Sequence, residues 1–280
     1  MSIAYALLSL LCAGMVDIVF KHFSMQIRSR GTYIAGIGVV WTFLQFTILT
    51  DQIRMDGQTI AFGLLAGLLV SFANLALIES LQHMDVSTAS TIYRLNSVVV
   101  VVLAIVLLGE DLTIVKTTGV LLGVAGVIAL YKRESLPDTS HKIMSIFWLV
   151  VVAGLLRASF GIVSKAAVSR GIDPMMMLLV NGPVWILAGV SYAMLREMGL
   201  CVTRDVLAYS LISGTLICAI ANFLLLALQS GDASIIVPIA NMSFLVTLII
   251  SISLGMEKIT RSKIAAIVLA LASILVLSQS

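Results

Sequence analysis

Six ionisable side chains stand inside stretches that are otherwise apolar: Asp17, Lys21, Glu79, Arg94, Arg157 and Lys165. A charge in such a setting is costly, so it faces a partner, a water-filled cavity or a solute. Arg94 lies in the run Tyr93-Arg94-Leu95-Asn96. A planar guanidinium there can hold a carboxylate through two parallel hydrogen bonds, with Tyr93 and Asn96 adding polar contacts. The same arginine can instead form a structural pair with Glu79 of the preceding segment. Arg157 lies more than two helical turns from either end of its apolar run, too deep to reach interfacial water, and is expected to line a cavity. Lys21 and Lys165 lie within a turn of the ends of theirs, so they either line that cavity or snorkel to the interface. Asp17 and Lys21 are four residues apart and share one helix face, where they can pair. Asp17 and Glu79 are the carboxylates able to exchange a cationic partner for a proton, because burial raises a carboxyl pKa and a nearby cation lowers it. A permanent ion pair would leave them no such role. Asn74, Asn222 and Asn241 are candidate solute contacts, although asparagine in apolar helices also serves as glue between them. Four cations against two carboxylates favour a substrate bearing negative charge.

The elements that position these residues follow from composition. Of 280 residues, 60% are apolar and 11% charged, with a mean hydropathy of +1.12. A water-soluble domain carries roughly 25% charged residues to wet its surface. Crossing about 30 Å of hydrocarbon takes about 20 helical residues. Ten runs meet that length: 2–24, 33–50, 58–82, 87–108, 112–131, 143–168, 174–196, 205–229, 233–254 and 260–278. Continuous apolar runs lack the alternation of a membrane barrel, so the spans are helices. The first run starts at Ile3 with no basic region before it and no cleavage pattern, which predicts a retained span. Pro238 predicts a kink in the ninth span. Gly63 and Gly67, and Gly119 and Gly123, predict close helix packing. Trp41, Trp148 and Trp185 suit either interfacial anchors or aromatic cavity walls.

The chain also repeats itself. A shift of 147 places Leu81 on Leu228, Gln82 on Gln229, Asp85 on Asp232, Ser87 on Ser234, Glu110 on Glu257, Thr113 on Thr260 and Lys116 on Lys263, without a gap. A shift of 144 places Ile18-Val19-Phe20-Lys21 on Ile162-Val163-Ser164-Lys165, and one of 148 places Ala73-Asn74 on Ala221-Asn222. Apolar coincidences mean little in such a composition; the polar ones carry the argument. The expected organisation is a first five-span repeat over 1–131, a charged linker over 132–142 containing Pro137, and a second repeat over 143–280. Five is odd, so the second half enters the membrane inverted. Inverted halves suit alternating access around a midplane site. The fold class is therefore all-α integral membrane, ten transmembrane helices in two inverted five-helix repeats.

Two segments, Leu107-Leu108-Gly109-Glu110-Asp111-Leu112-Thr113 and Leu254-Gly255-Met256-Glu257-Lys258-Ile259-Thr260, resemble the "LLGExLT" signature of EamA-type proteins in the drug/metabolite transporter superfamily. Lys21 and Lys165 also resemble that family's pattern. In the second copy Met256 separates Gly255 from Glu257, a departure from the signature. The resemblance implies a permease or exporter of amino acids or similar metabolites in a bacterial cytoplasmic membrane, with a cavity lined by spans one, three, four, six, eight and nine. Two alternatives share the sequence: efflux of amphipathic drugs or a lipid-linked sugar, and a membrane scaffold or sensor subunit without flux.

Nothing points to an enzyme. His22, His83 and His141 are scattered, no P-loop or dinucleotide turn occurs, and Cys12, Cys201 and Cys218 have no metal-ligand spacing. No cofactor or metal and no nucleic-acid partner is expected; the partners are a small-molecule substrate, lipid and possible coupling protons. The loops on one side hold Arg28, Arg30, Lys132, Arg133, Lys142, Arg196, Arg204, Lys258, Arg261 and Lys263, ten in all, against Arg54, Lys116 and Arg170 opposite. The richer side is cytoplasmic by the positive-inside rule, which places both termini outside; the family resemblance implies both termini inside. With the native cysteines replaced, a cysteine placed in the 132–142 linker is expected to resist an impermeant maleimide in intact cells. Ready labelling would reverse this orientation.

Overall fold

A computed structural model describes residues 1–24, 26, 28–49, 55–80, 93, 94, 96–130, 141–253 and 260–279. Its helices are α1 (Ser2–Ser24), α2 (Arg30–Ile48), α3 (Gly57–Ser80), α4 (Asn96–Leu108), α5 (Ile114–Leu130), α6 (His141–Ser169), α7 (Pro174–Arg196), α8 (Arg204–Ser230), α9 (Ala233–Asn241), α10 (Phe244–Ser253) and α11 (Arg261–Leu277). Tyr93 and Arg94 are also helical, one turn before α4. These are the ten spans of an integral membrane protein. The ninth differs from expectation: it is two helices, α9 and α10, meeting at Met242 and Ser243. Expectations for Gln82, His83, Asp85, Ser87, Glu257 and linker residues 132–140 lie outside the described residues.

The spans begin where short polar side chains can cap them. Ser29, Thr113, Asp173, Thr203 and Thr260 each accept an amide from the first turn of α2, α5, α7, α8 and α11, satisfying donors that the helix itself leaves orphaned. Asp56 does the same for α3, accepting the Thr59 amide at 2.8 Å. Hydrogen bonds from Thr59 hold its carboxyl below the usual range. That cap is therefore present near neutral pH and lost as the pH falls through the lowered value.

Around these starts the two halves pack as equivalents. The second helices of each half, α2 and α7, cross at the centre, and the fifth, α5 and α11, pair at one side. The contact of α1 with α8 is mirrored by that of α6 with α3, and the seat of α4 on α6 by that of α9 and α10 on α1. The outer surface is apolar: Phe43, Phe72, Val106, Leu187 and Leu195 are all more than half exposed, as side chains solvated by lipid must be.

The central crossing depends on glycine. A Cβ on Gly38 would lie 2.7 Å from the Ile186 nitrogen, and one on Gly189 would lie 2.3 Å from the Ala35 nitrogen. Those neighbours are backbone and cannot rotate away, so only glycine allows this approach. Trp41 and Trp185, at equivalent positions by the 144-residue shift, pack ring to ring at 5.6 Å beside them. Both indoles are buried at about the level of the core, 1% and 0% exposed, which corrects the interfacial reading for these two. Trp148 is 57% exposed and remains compatible with an anchor. Gly63 and Gly67 seat α3 on Val180 and Val184 of α7, and Gly119 seats α5 on Leu277 of α11, the close packing their spacing predicts.

Gly189→Ala is expected to lower the thermal unfolding midpoint in micelles clearly, since overpacking costs about 1–3 kcal/mol. Gly57→Ala, where a Cβ would meet nothing within 4 Å, is expected to leave it unchanged. Equal midpoints in the two variants would remove the glycine crossing as a determinant of the bundle.

Candidate functional site

Helices α1, α3, α6, α8 and α9–α10, with the turn carrying Tyr93 and Arg94, enclose a cavity of about 120 Å³ near the pseudo-two-fold axis. Trp41 of α2 closes one wall, the cavity-wall alternative of its two readings, although the second span was not among those expected to line the cavity. Its polar lining is Ser9, Asp17, Asn74, Tyr93, Arg94, Arg157, Asn241, Ser243 and Thr247, set among apolar residues that include Phe20, Phe160 and Leu224. A water occupies about 30 Å³ in the liquid, so the space holds a handful of waters or one small solute.

One ion pair crosses the lining, and it is not the expected one. Arg94 is bonded to Asp17 of α1 rather than to Glu79, and Asp17 is bonded across the bundle rather than along its own helix to Lys21. Thr247 of α10 donates to the same Asp17 oxygen at 3.2 Å. The other arm of the guanidinium donates to the Asn241 carbonyl at 2.8 Å and to Ser243 Oγ at 2.6 Å, while its plane lies 5.7 Å from the Phe244 ring. Met242 and Leu245 amides there bond three residues back, to Ile239 and Met242. Span nine is thus opened by an inserted side chain, four residues beyond the proline that was expected to bend it.

Arg157 enters on the face of α6 that looks toward the axis. On that face Gly154 lies against Tyr93 and Asn96, and Gly161 against Val237 of α9. The Arg157 guanidinium lies 5.3 Å from the Phe160 ring, a favourable contact for a cation. Among the described residues no carboxylate pairs with it.

The remaining expected residues divide. Asn241 Nδ2 donates to Asn96 Oδ1 at 2.5 Å and Ser97 Oγ at 3.0 Å, tying span nine to span four. Asn74 bonds back to the Val70 carbonyl at 2.8 Å while lining the cavity. Asn222 repeats that back-bond, to Cys218 at 2.8 Å, but its amide also meets Gln45 at 2.9 Å, so it joins α8 to α2 away from the cavity lining. Half-buried Lys21 is likewise not among the lining residues. Lys165 donates to the carbonyls of Leu228 and Gly231 at 2.8 and 2.6 Å, a cation closing the C-terminal end of α8. Glu79 sits on another face of α3, bonded to Arg30 and to the Tyr192 hydroxyl. Arg30 had been counted with the loops. It opens α2 three residues before the apolar run becomes recognisable. That trio heads a lateral groove of about 1140 Å³ between α3, α6 and α7, walled by Leu64, Leu68, Phe72 and Leu187.

The signature segment 107–113 does mechanical work. Gly109 has φ +68°, and the Glu110 amide bonds back to Ala104, so the glycine ends α4 in a tight reversal. Glu110 then accepts the Ala233 and Ser234 amides at 2.7 and 3.0 Å and the Ser234 hydroxyl, capping α9. Thr113 caps α5, and Lys116 pairs with Asp232 at 2.6 Å. The repeated residues Glu110, Thr113, Thr260 and Lys165 thus serve helix ends. The cavity charges are different, because their equivalents are neutral: Gly161 for Asp17, Asn241 for Arg94 and Ala13 for Arg157.

Among the described residues no group of three or more His, Cys, Asp or Glu side chains could hold a metal ion. A model of the EamA-like transporter family matches residues 1–132. No curated protein matches the sequence. A protein of known crystal structure shares the fold, with a TM-score of 0.81 at 12% identity over 99% of this chain and 96% of that one.

Glu110→Ala is expected to destabilise the bundle by about 0.5–2 kcal/mol, the usual worth of a helix N-cap, with Glu110→Gln intermediate because its amide oxygen still accepts. The check is the unfolding midpoint in micelles. An unchanged midpoint in the alanine variant would contradict the capping role.

Proposed function

We propose that this chain, whose residues 1–132 match the EamA-like transporter family, a family of membrane transporters in the drug/metabolite transporter superfamily, is a secondary transporter for a small carboxylate-bearing metabolite. Residues 143–280 form the second EamA-like repeat in this reading. The two inverted halves rock against each other, exposing the cavity to each side of a bacterial cytoplasmic membrane in turn.

One observation carries the substrate class. Arg157 reaches the cavity with no carboxylate partner among the described residues, whereas the positive charge of Arg94 is matched by Asp17. The lining therefore has an unbalanced cation in a low-dielectric interior, a state that an entering anion relieves. A carboxylate can meet the guanidinium through two parallel hydrogen bonds. The Phe20, Ile217, Ile220 and Leu224 wall then accommodates a short apolar remainder. Arg94 and Thr247 both donate to one Asp17 oxygen, Oδ2, and an ammonium group can meet the other; organic anions and zwitterions such as amino acids both fit. Asp17 is also the coupling candidate, since protonation would remove the charge that balances Arg94 and weaken the bonds from Arg94 and Thr247 together. Glu79, bonded outside the cavity, is a coupling residue only if its groove communicates with the substrate path.

The lateral groove supports a second reading, efflux of an amphipathic compound entering from the bilayer. Its apolar walls and ionic head suit such a molecule better than a small metabolite. Reconstituted protein tested against a solute panel separates the two. The expected result is counterflow of a small carboxylate that falls at least tenfold in Arg157→Ala, with part of it kept in Arg157→Lys. Counterflow undiminished in a folded Arg157→Ala variant, or flux of amphipathic cations alone, would reject the carboxylate reading.

A further inference from the structure

The break in the ninth span leaves polar backbone exposed in the interior of the bundle. A carbonyl stranded there costs several kcal/mol unless something bonds to it. The Asn241 carbonyl is met by Arg94. The same Nη1 reaches Ser243 Oγ, on the far side of the break, and Nη2 reaches Asp17. One guanidinium therefore joins the last residue of α9, the residue before α10, and α1.

The seat of α10 on α1 is built around this fork. A Cβ on Gly14 would lie 2.4 Å from Val246 Cβ and 2.8 Å from the Ser243 carbonyl, so the helices touch only because that position is glycine. One turn into α10, Thr247 donates to the Gly14 carbonyl at 3.2 Å as well as to Asp17. By the 147-residue shift Arg94 is the counterpart of Asn241 itself. The charge thus lies where spans four and nine cross on the pseudo-axis, and it occurs in one half alone.

We infer that Arg94 is a positioning residue that fixes α10 relative to α9 and α1 across the break, and that it is not the counter-ion of the substrate. Its fork is committed to a backbone carbonyl, a hydroxyl and Asp17, and a solute bound in its place would strand the Asn241 carbonyl. Lysine cannot substitute, because an ammonium is a compact point charge without the planar reach to three partners on three elements. The inference stands apart from the transport reading and needs no substrate to test.

The test is a distance distribution by pulsed electron spin resonance in nanodiscs, with the native cysteines replaced. Spin labels at Ile249 of α10 and Leu211 of α8, both lipid-exposed, report the position of α10. Labels at Phe43 of α2 and Leu211 serve as control. Arg94→Lys, which keeps the charge beside Asp17, is expected at least to double the width of the first distribution and leave the control unchanged. Arg94→Gln should do the same or more. Asp17→Asn, whose amide oxygen still accepts, should stay near native width. A native distribution in Arg94→Lys would overturn the inference. So would broadening in Asp17→Asn equal to that in the lysine variant, since the ion pair and not the fork across the break would then hold α10.

Discussion

Inside hydrocarbon a backbone carbonyl has no water to turn to, and the architecture follows from that constraint. Spans two, three, five, seven, eight and ten answer it with helical ladders whose first turns are capped. The ninth answers it with a side chain brought from another span. Because Arg94 bonds to Asn241 and Ser243 while holding Asp17, the chain can be interrupted at the level of the cavity without a stranded polar group. The interruption sets Asn241, Ser243 and Thr247 in the cavity lining, where an unbroken helix would present fewer polar atoms.

Duplication divides the labour among the polar residues. Residues present in both halves, such as Glu110, Thr113, Thr260 and Lys165, close helix ends, work that each half needs equally. Residues present in one half, Asp17, Arg94 and Arg157, gather at the axis where the halves meet. A two-fold arrangement cannot give one substrate a polarised site from identical halves. Asymmetry in the charges at the axis supplies the polarity that the duplicated scaffold lacks.

This division also explains what could be read in advance. Ten spans were legible because hydrocarbon thickness fixes helix length and leaves long apolar runs in the chain. The cavity positions of Arg94 and Arg157 were legible because depth within a run can be counted. Partners were not: Arg94 and Asp17 are 77 residues apart, and no local spacing joins them. Glu79 was matched to the wrong cation because Arg30 sits just before its apolar run, where it reads as a loop charge. The break at Met242 was placed at Pro238 because proline is visible in sequence and an inserted guanidinium is not. The glycines of the α2–α7 crossing went unread because Gly38 and Gly189 stand on different spans, neither with a second glycine four residues away as Gly63 and Gly67 have.

The central claim is that a positive charge at position 157 receives the substrate, and charge rescue tests it most directly. In a protein whose native cysteines are replaced, Arg157→Cys can be alkylated either with bromoethylamine, which restores a cation, or with iodoacetamide, which adds a neutral amide of similar size. Carboxylate counterflow in proteoliposomes is expected to be lost in the unmodified variant and to return with the ammonium adduct alone. Equal recovery with the neutral adduct, or full counterflow without any adduct, would contradict it.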